Sequence, residues 1–292
     1  MIKTKAGVAI LTIYVLLHAF NGVLLKGLAI EGVGTADTLI FRGLGCIAVA
    51  FVVGMWQKIN LWPKEPGLQA FRFMVSGLAL WALTAAYQYA NATSVAIISR
   101  LDTALLVVAG PLVGVPATKL QRFLAAICLA LLMGAALSGG IGPDEEVIGY
   151  FLAIGGTIGI TVGYLFLRAS AAKEFMPVVA WVAGAAILGY GLVTRGSLSN
   201  WPETKLLVGG LLSGVIMYTL YDLTVRLYKV MDVARAEYPT LFSTLIVMAM
   251  EASLLNVHFE AFYVGTMMAN LILLGLILWF SPQAEKVGAD TE

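Results

Sequence analysis

The sequence has few charged residues, few cysteines and almost no histidines. Only 12% of its 292 residues are Asp, Glu, Lys or Arg, about half the share that soluble domains carry. The net charge of +1 gives neither a basic surface for nucleic acid nor an acidic tail. Cys46 and Cys128 lie in apolar segments and fit no disulfide or metal-ligand spacing, so we expect both to be small packing residues. No metal, cofactor or nucleic-acid partner is predicted.

Motifs of membrane-embedded enzymes are also missing. The chain has no His-Glu-x-x-His zinc motif, no Gly-x-Ser-x-Gly elbow and no Asp-rich diphosphate motif. Tyr221-Asp222 matches one half of an intramembrane aspartyl protease signature, but the Gly-x-Gly-Asp half has no counterpart. A channel would need a repeated filter motif or a ring of like charges, and neither is present. We therefore predict that the protein is not an enzyme, with an intramembrane enzyme and a channel as the less favoured alternatives.

Long apolar blocks dominate the sequence instead. Hydrophobic residues make up 60% of the chain, and their blocks are about 20 residues long, the length at which a helix crosses a bilayer. These blocks predict ten spans, at 6–25, 36–56, 68–89, 94–116, 121–139, 147–167, 176–194, 205–226, 233–253 and 261–280. The first block is interpreted as a span rather than a signal peptide, because it is long and no small-residue cleavage site follows it.

The positions of Lys and Arg predict the orientation of these spans. If the N-terminus is inside, twelve basic residues lie on the cytoplasmic side and three on the outer side. Cytoplasmic loops of membrane proteins carry such an excess of positive charge. We therefore expect a multi-pass protein of the plasma (cell inner) membrane with both termini in the cytoplasm.

A short charged pattern occurs once in each half of the chain. Arg100 and Asp102 lie in the fourth predicted span, and Arg235 and Glu237 open the ninth. Each half contains five spans, and an odd number of crossings makes the second half start from the opposite side of the membrane. The sequence therefore predicts an all-α membrane protein with two inverted five-helix repeats around a central cavity. The predicted repeats are 1–140 and 141–292.

Three stretches resemble the drug/metabolite transporter superfamily of the EamA type. They are LLHAFNGVLLKGLAIEGVGTADTLIFRGLGCIAVAF, YQYANATSVAIISRLDTALLVVAGPLVG and YDLTVRLYKVMDVARAEYPTLFSTLIVMAMEA. The resemblance covers nearly the whole chain and lies in the order of the motifs. It departs from the family pattern at His18, where Trp is common, and at Thr103, where Pro is usual. The resemblance implies a carrier without a pore that moves small metabolites, commonly amino acids, out of the cell by alternating access.

Charged residues within the spans fall into two groups by depth. The outer group lies about 9 to 12 Å below the outer helix ends and consists of Arg42, Arg100 and Asp102. The inner group lies near the inner helix ends and consists of Asp222, Arg235 and Glu237. Charges at such depth usually face a polar interior. We predict that each group closes one side of the cavity, as a gate or a coupling site.

The sequence does not determine which groups pair with these charged residues. Side chains at i and i+2 on a helix point about 200° apart, so Arg100 and Asp102 cannot share one face, and Arg42 is the predicted partner of Asp102. A free acid among several arginines is an alternative and would bind a proton, giving proton-coupled exchange. In a third interpretation, each Arg-x-acid pair only satisfies itself or reaches toward the membrane surface.

Aromatic and polar residues near the middle of the spans are candidates to bind the solute. Small-molecule sites usually combine aromatic walls with a few polar groups. The predicted lining residues are His18, Asn21, Trp81, Thr84, Tyr87, Tyr164, Trp181 and Tyr218. Packing or lipid contact is the alternative for the mid-span aromatics. We predict a transporter of small organic solutes, first an exporter of amino acids or related metabolites and second a carrier of nucleotide-sugar or lipid-linked substrates, working as a monomer or a homodimer.

Overall fold

The computed structural model describes residues 5–109, 118–137, 147–171, 174–197, 201–230, 240–259 and 261–279. Within these ranges the chain forms eleven helices and no strand. The helices are α1 (Lys5–Ile30), α2 (Thr35–Trp56), α3 (Pro66–Tyr89), α4 (Ala92–Ser99), α5 (Leu101–Ala109), α6 (Lys119–Leu137), α7 (Val147–Ala171), α8 (Met176–Arg195), α9 (Thr204–Val230), α10 (Thr240–Leu254) and α11 (Ala261–Trp279).

Five of the described helices are long and apolar enough to cross a membrane. They are α1, α2, α3, α8 and α9. Shorter apolar helices occupy Val147–Gly163, Leu241–Leu254 and Val264–Ile277. The protein is therefore an all-helical membrane protein, and the helices at the predicted spans 36–56, 68–89 and 176–194 begin and end within two residues of those predictions.

Local sequence explains where these helices begin and end. α3 starts with Pro66 at its first turn, where a missing N–H is tolerated. α1 ends at a glycine turn, in which Gly32 takes a φ of +79° and the N–H of Val33 donates to the carbonyl of Leu28 at 2.9 Å. Only glycine adopts that backbone conformation at no steric cost. The turn brings α2 back into the membrane directly after α1.

The predicted fourth span is broken at Arg100. α4 ends at Ser99 and α5 begins at Leu101, and the N–H of Arg100 donates to the carbonyl of Ile97, three residues back, at 3.0 Å. The Ser99 hydroxyl donates to the carbonyl of Ala96 at 2.7 Å, and such bonds to the preceding turn compete with helical geometry. The predicted span 94–116 is therefore interrupted near its start, at Arg100.

Glycines bring the central helices into backbone contact. A Cβ on Gly43 of α2 would lie 2.7 Å from the carbonyl oxygen of Gly184 in α8. A Cβ on Gly214 of α9 would meet the carbonyl oxygen of Arg42 in α2. α2 is therefore held against α8 on one side and α9 on the other, at distances that only glycine permits.

The remaining described helices pack around this centre in a regular order. α1 contacts α9 and α10, while α7 contacts α3, α4 and α5. α6 contacts α11. Helices from the first and second halves of the chain therefore alternate around the bundle, and the space between them forms the cavity described next.

Candidate functional site

A cavity of about 150 Å³ lies inside the bundle. Its walls come from α1, α2, α3, α4, α5, α7, α9 and α10, so both halves of the chain contribute. The charged and aromatic side chains along it are His18, Arg42, Arg72, Tyr87, Arg100, Asp102 and Tyr221. The walls between them combine Leu, Ile, Val and Met side chains with six Ser, Thr and Asn side chains. This combination of apolar walls and a few charged groups is typical of a small-molecule site.

The cavity extends along the helices rather than across them. α3 lines it from Arg72, near the start of the helix, to Tyr87, near its end. Fifteen residues of helix at 1.5 Å per residue correspond to about 22 Å. Because the hydrocarbon core of a bilayer is about 30 Å thick, the cavity covers most of the distance between the two membrane surfaces.

Arg42 lies at the centre of this site. Its side chain is 6% exposed, and its backbone is fixed by the close contact with Gly214. Its Nη1 donates to Thr84 Oγ1 at 3.3 Å, while the Thr84 hydroxyl donates to the carbonyl of Leu80 at 2.7 Å. Arg42 Nε finds no hydrogen-bond partner among the described residues. The guanidinium is thus held by one long hydrogen bond, and its Nε is buried without a described partner.

The expected pairing of Arg42 with Asp102 is not formed. The hydrogen bond of Arg42 goes to Thr84 instead, and Asp102 lies in the first turn of α5. A carboxylate there is favoured by the partial positive charge at a helix N-terminus. Arg100 and Asp102 are both buried and both line the cavity, so the break between α4 and α5 brings these two charges to the site.

Arg72 is a second buried cation that sequence reasoning missed. It is one of the twelve basic residues that the sequence assigns to the cytoplasmic side, and it lies near the start of the predicted span 68–89. The structure places it in the cavity wall with 3% exposure. Its Nη1 donates to Gln69 Oε1 at 2.7 Å, and the carboxylate of buried Glu174 lies within electrostatic reach. Tyr221 lines the same cavity and interacts electrostatically with both Arg72 and Arg42.

Glu251 is a buried acid that links α10 to the start of α4. Its side chain is 0% exposed. Its carboxylate accepts bonds from the N–H groups of Ala92 and Thr93, at 2.7 and 2.8 Å, and from the Thr93 hydroxyl, at 2.6 Å. The first N–H groups of a helix lack partners within the helix, and this carboxylate supplies them from the other half of the chain. An acidic residue near the end of an apolar block was the signal available in the sequence.

The other predicted binding residues separate into three sets. His18, Asn21 and Tyr87 line the cavity, and Thr84 contacts it through Arg42. Trp81, Trp181 and Tyr218 are not among the residues that line the cavity. They belong to an apolar cluster with Cys46 between α2, α3, α8 and α9. Trp181 Nε1 donates to the carbonyl of Leu61 at 2.8 Å. The side chain of Tyr164 lies outside the described part of the structure.

The predicted inner group is only partly described. Asp222 accepts a bond from Arg226 Nε at 2.8 Å, one turn further along α9, and the Arg226 side chain is 63% exposed. Arg235 and Glu237 lie outside the described residues. Among the described side chains, no group of three or more His, Cys, Asp or Glu residues is arranged to hold a metal ion.

Comparison with known proteins shows the fold and no more. No protein-family model matches the chain, and no curated protein matches it either. Fifteen chains of solved structures are similar to it. One of them, described only as a crystal structure of a protein, is 16% identical, with a TM-score of 0.61 over 90% of this chain and 96% of that one. The fold and the site therefore define a helical membrane protein with a charged internal cavity.

Proposed function

We propose that the protein is an alternating-access transporter that exports small organic solutes, of the class of amino acids or related metabolites. One observation carries this proposal: an elongated cavity with buried charges lies between helices of both halves of the chain. Substrate sites of secondary transporters lie near the bilayer midplane, where two structural repeats meet. Buried ionisable residues within membrane spans mark such pathways.

We further propose ten spans arranged as two inverted repeats, 1–140 and 141–292. The order of helix contacts supports this arrangement. α1, the first span of one half, packs on α9 and α10, whereas α7, the first span of the other half, packs on α3, α4 and α5. α2 contacts α8, and α6 contacts α11. Each first span thus contacts the third and fourth spans of the other half, and equivalent spans meet, which is what a two-fold axis in the membrane plane produces.

The resemblance to EamA-type carriers belongs to the same proposal. It agrees with the broken span at Arg100, since discontinuous helices are a common feature of transporter binding sites. The excess of basic residues predicts both termini in the cytoplasm of a multi-pass inner-membrane protein. In that orientation Glu251 and the start of α4 lie at the outer side, and Arg72 and Glu174 lie at the inner side.

The test is ligand screening followed by counterflow. Purified protein is first screened for solutes that raise its melting temperature, because a single-site ligand at 100 times its Kd adds about 2.7 kcal/mol of stability. Liposomes containing the protein are then loaded with the unlabelled ligand, and uptake of labelled ligand is followed. A carrier gives saturable uptake that the internal ligand accelerates. Flux without saturation or trans-acceleration would indicate a channel, and binding without any flux would contradict transport.

A further inference from the structure

The junction between α3 and α4, residues 88–94, lies directly outside one end of the cavity. The cavity lining follows α3 as far as Tyr87 and resumes on α4 at Val95 and Ala96. Four residues between these points are almost fully buried, namely Ala90, Ala92, Thr93 and Ser94. In the proposed orientation this end of the cavity faces the outer side. The junction therefore separates the cavity from the outer surface.

Polar contacts hold the junction to the first two helices. Gln88 Nε2 donates to the carbonyl of Val33, in the turn before α2, at 2.9 Å. Lys26 Nζ of α1 donates to the carbonyl of Tyr87, directly before the junction, at 3.2 Å. The buried apolar residues of the junction are alanines, so moving it outward uncovers little apolar surface. Its closed position therefore depends strongly on hydrogen bonds that can break and re-form.

The start of α4 takes its cap from α10 rather than from its own sequence. Asn91 occupies the N-cap position, and Asn is among the residues that cap helices best, yet its side chain forms no cap bond here. The Glu251 carboxylate instead accepts the N–H groups of Ala92 and Thr93, at 2.7 and 2.8 Å. The first N–H groups of α4 thus have two available acceptors, one across the bundle and one within the junction.

These alternative acceptors make the contact between α4 and α10 reversible. The backbone of Asn91, with φ −69° and ψ 152°, already has the extended conformation of an N-cap residue. If α4 moves away from Glu251, rotation of the Asn91 side chain can supply an acceptor to the N–H of Thr93. Breaking such a bond is costly mainly when a donor is left unsatisfied. The exchange of caps therefore lowers the cost of moving the junction, and water entering behind it would solvate the Glu251 carboxylate.

We propose that the junction 88–94 is the outer gate of the solute pathway, closed when Glu251 caps α4 and open when Asn91 caps it. This inference rests on the proposed transport function and describes how the cavity opens to the outer side. It assigns the outer gate to residues nearer the surface than Arg42, Arg100 and Asp102, which the sequence suggested for that role.

A cysteine just inside the junction reports whether the gate is open. Ala96→Cys introduces a thiol into the cavity wall, and intact cells that carry the full-length protein are treated with an impermeant methanethiosulfonate. Mass spectrometry then gives the labelling rate of each cysteine. Cys46 and Cys128 are buried and do not line the cavity, so they report whether the protein as a whole has loosened.

Substitutions of Asn91 should change this rate in opposite directions. Asn91→Ala removes the open-state cap and leaves the Glu251 bonds in place, so labelling at position 96 should be at least three-fold slower. Asn91→Asp keeps a cap, adds a charge that a helix N-terminus favours and repels the Glu251 carboxylate, so labelling should be at least three-fold faster. No change in either variant, or a change of the same sign in both, would overturn the gate.

Gln88→Ala tests the junction without touching the cap. It removes the bond to Val33, and labelling at position 96 should be at least three-fold faster while Cys46 and Cys128 stay unreactive. Lys205→Met is the control, since that side chain is 70% exposed, and it should leave the rate unchanged. An unchanged rate in Gln88→Ala, or equal acceleration at Cys46 and Cys128, would contradict a local gate.

Counterflow separates the gate from the function beneath it. If the variants change labelling as expected but the purified protein exchanges no solute across liposomes, the junction is a lid over the cavity and the transport proposal fails. If a solute is exchanged and the Asn91 and Gln88 variants change neither its exchange nor the labelling, the transporter stands and the gate fails.

Discussion

Replacing Glu251 with glutamine should destabilise the protein, because its carboxylate holds two halves of the chain together. The side chain is fully buried and accepts three hydrogen bonds of 2.6 to 2.8 Å from Ala92 and Thr93. Glutamine has nearly the same shape, but its amide offers one oxygen and turns an N–H₂ group toward donors. The substitution therefore removes charge and one acceptor while changing little else.

The magnitude follows from the number of bonds. A hydrogen bond to a charged group contributes about 1.5 to 3 kcal/mol and a neutral one about 0.5 to 1.5. Two donors of Glu251→Gln keep weakened bonds to the amide oxygen, at a loss of about 1 kcal/mol each, and the third is left buried and unsatisfied, at a cost of about 2 kcal/mol. Part of this loss in stability is offset, because burying a neutral group costs less free energy than burying a carboxylate. We expect the free energy of unfolding to fall by about 2 to 4 kcal/mol.

The assay is unfolding of the purified protein by SDS in mixed micelles, followed by tryptophan fluorescence. Glu203→Gln is the matched control, since that side chain is 72% exposed and pairs only with exposed Lys205; it should change the free energy of unfolding by less than about 0.5 kcal/mol. A double-mutant cycle with Thr93→Val should show a coupling of about 1 kcal/mol. Additive effects, or a Glu251→Gln protein as stable as the wild type, would refute the reasoning.

Three further predictions concern packing, a loop and orientation. Gly214→Ala should lower the free energy of unfolding by about 1 to 3 kcal/mol through overpacking against α2. Gly155→Ala, with open space around the residue, should leave the free energy of unfolding unchanged or raise it by up to about 1 kcal/mol. SDS unfolding measures both variants, and equal effects would contradict the packing. Trp181→Phe removes a 2.8 Å bond to the loop before α3, and should cost about 1 kcal/mol and speed proteolysis of that loop; unchanged cleavage would argue against its role. Because the native cysteines are buried, Glu31→Cys should react with an impermeant maleimide on intact cells and Lys58→Cys only after permeabilisation, and the reverse result would invert the proposed topology.

The apolar blocks predicted the long helices well because the bilayer sets their length. α2, α3 and α8 begin and end within two residues of the predicted limits, since charged or turn-forming residues interrupt the blocks where the chain leaves the membrane. The break at Arg100 was not predictable in the same way. It coincides with a serine bond to the preceding turn, and a serine within an apolar run does not by itself indicate which of its bonds will form.

Site residues were predictable where their depth in the membrane determined whether they line the cavity. They were not predictable where helix packing determined it. Arg42, Arg100 and Asp102 line the cavity because buried charges in a span avoid lipid. Arg72, near the start of the predicted span 68–89, was assigned to the basic residues of the cytoplasmic side, and only the packing of α3 in the bundle buries it. Trp81, Trp181 and Tyr218 have the same depth as the cavity but lie on other helix faces. Depth along a helix can be read from the sequence, whereas helix rotation depends on neighbours from the other half of the chain.

The glycine contacts of α2 determine which part of the molecule can move. Its backbone touches α8 at Gly184 and α9 at Gly214, with no side chains between them to slide or repack. α2 is therefore held closely against α8 and α9 at these two points, and tilting it would break both backbone contacts. In the proposed transport cycle, we therefore expect Arg42 to keep its position while the helices around α2 move.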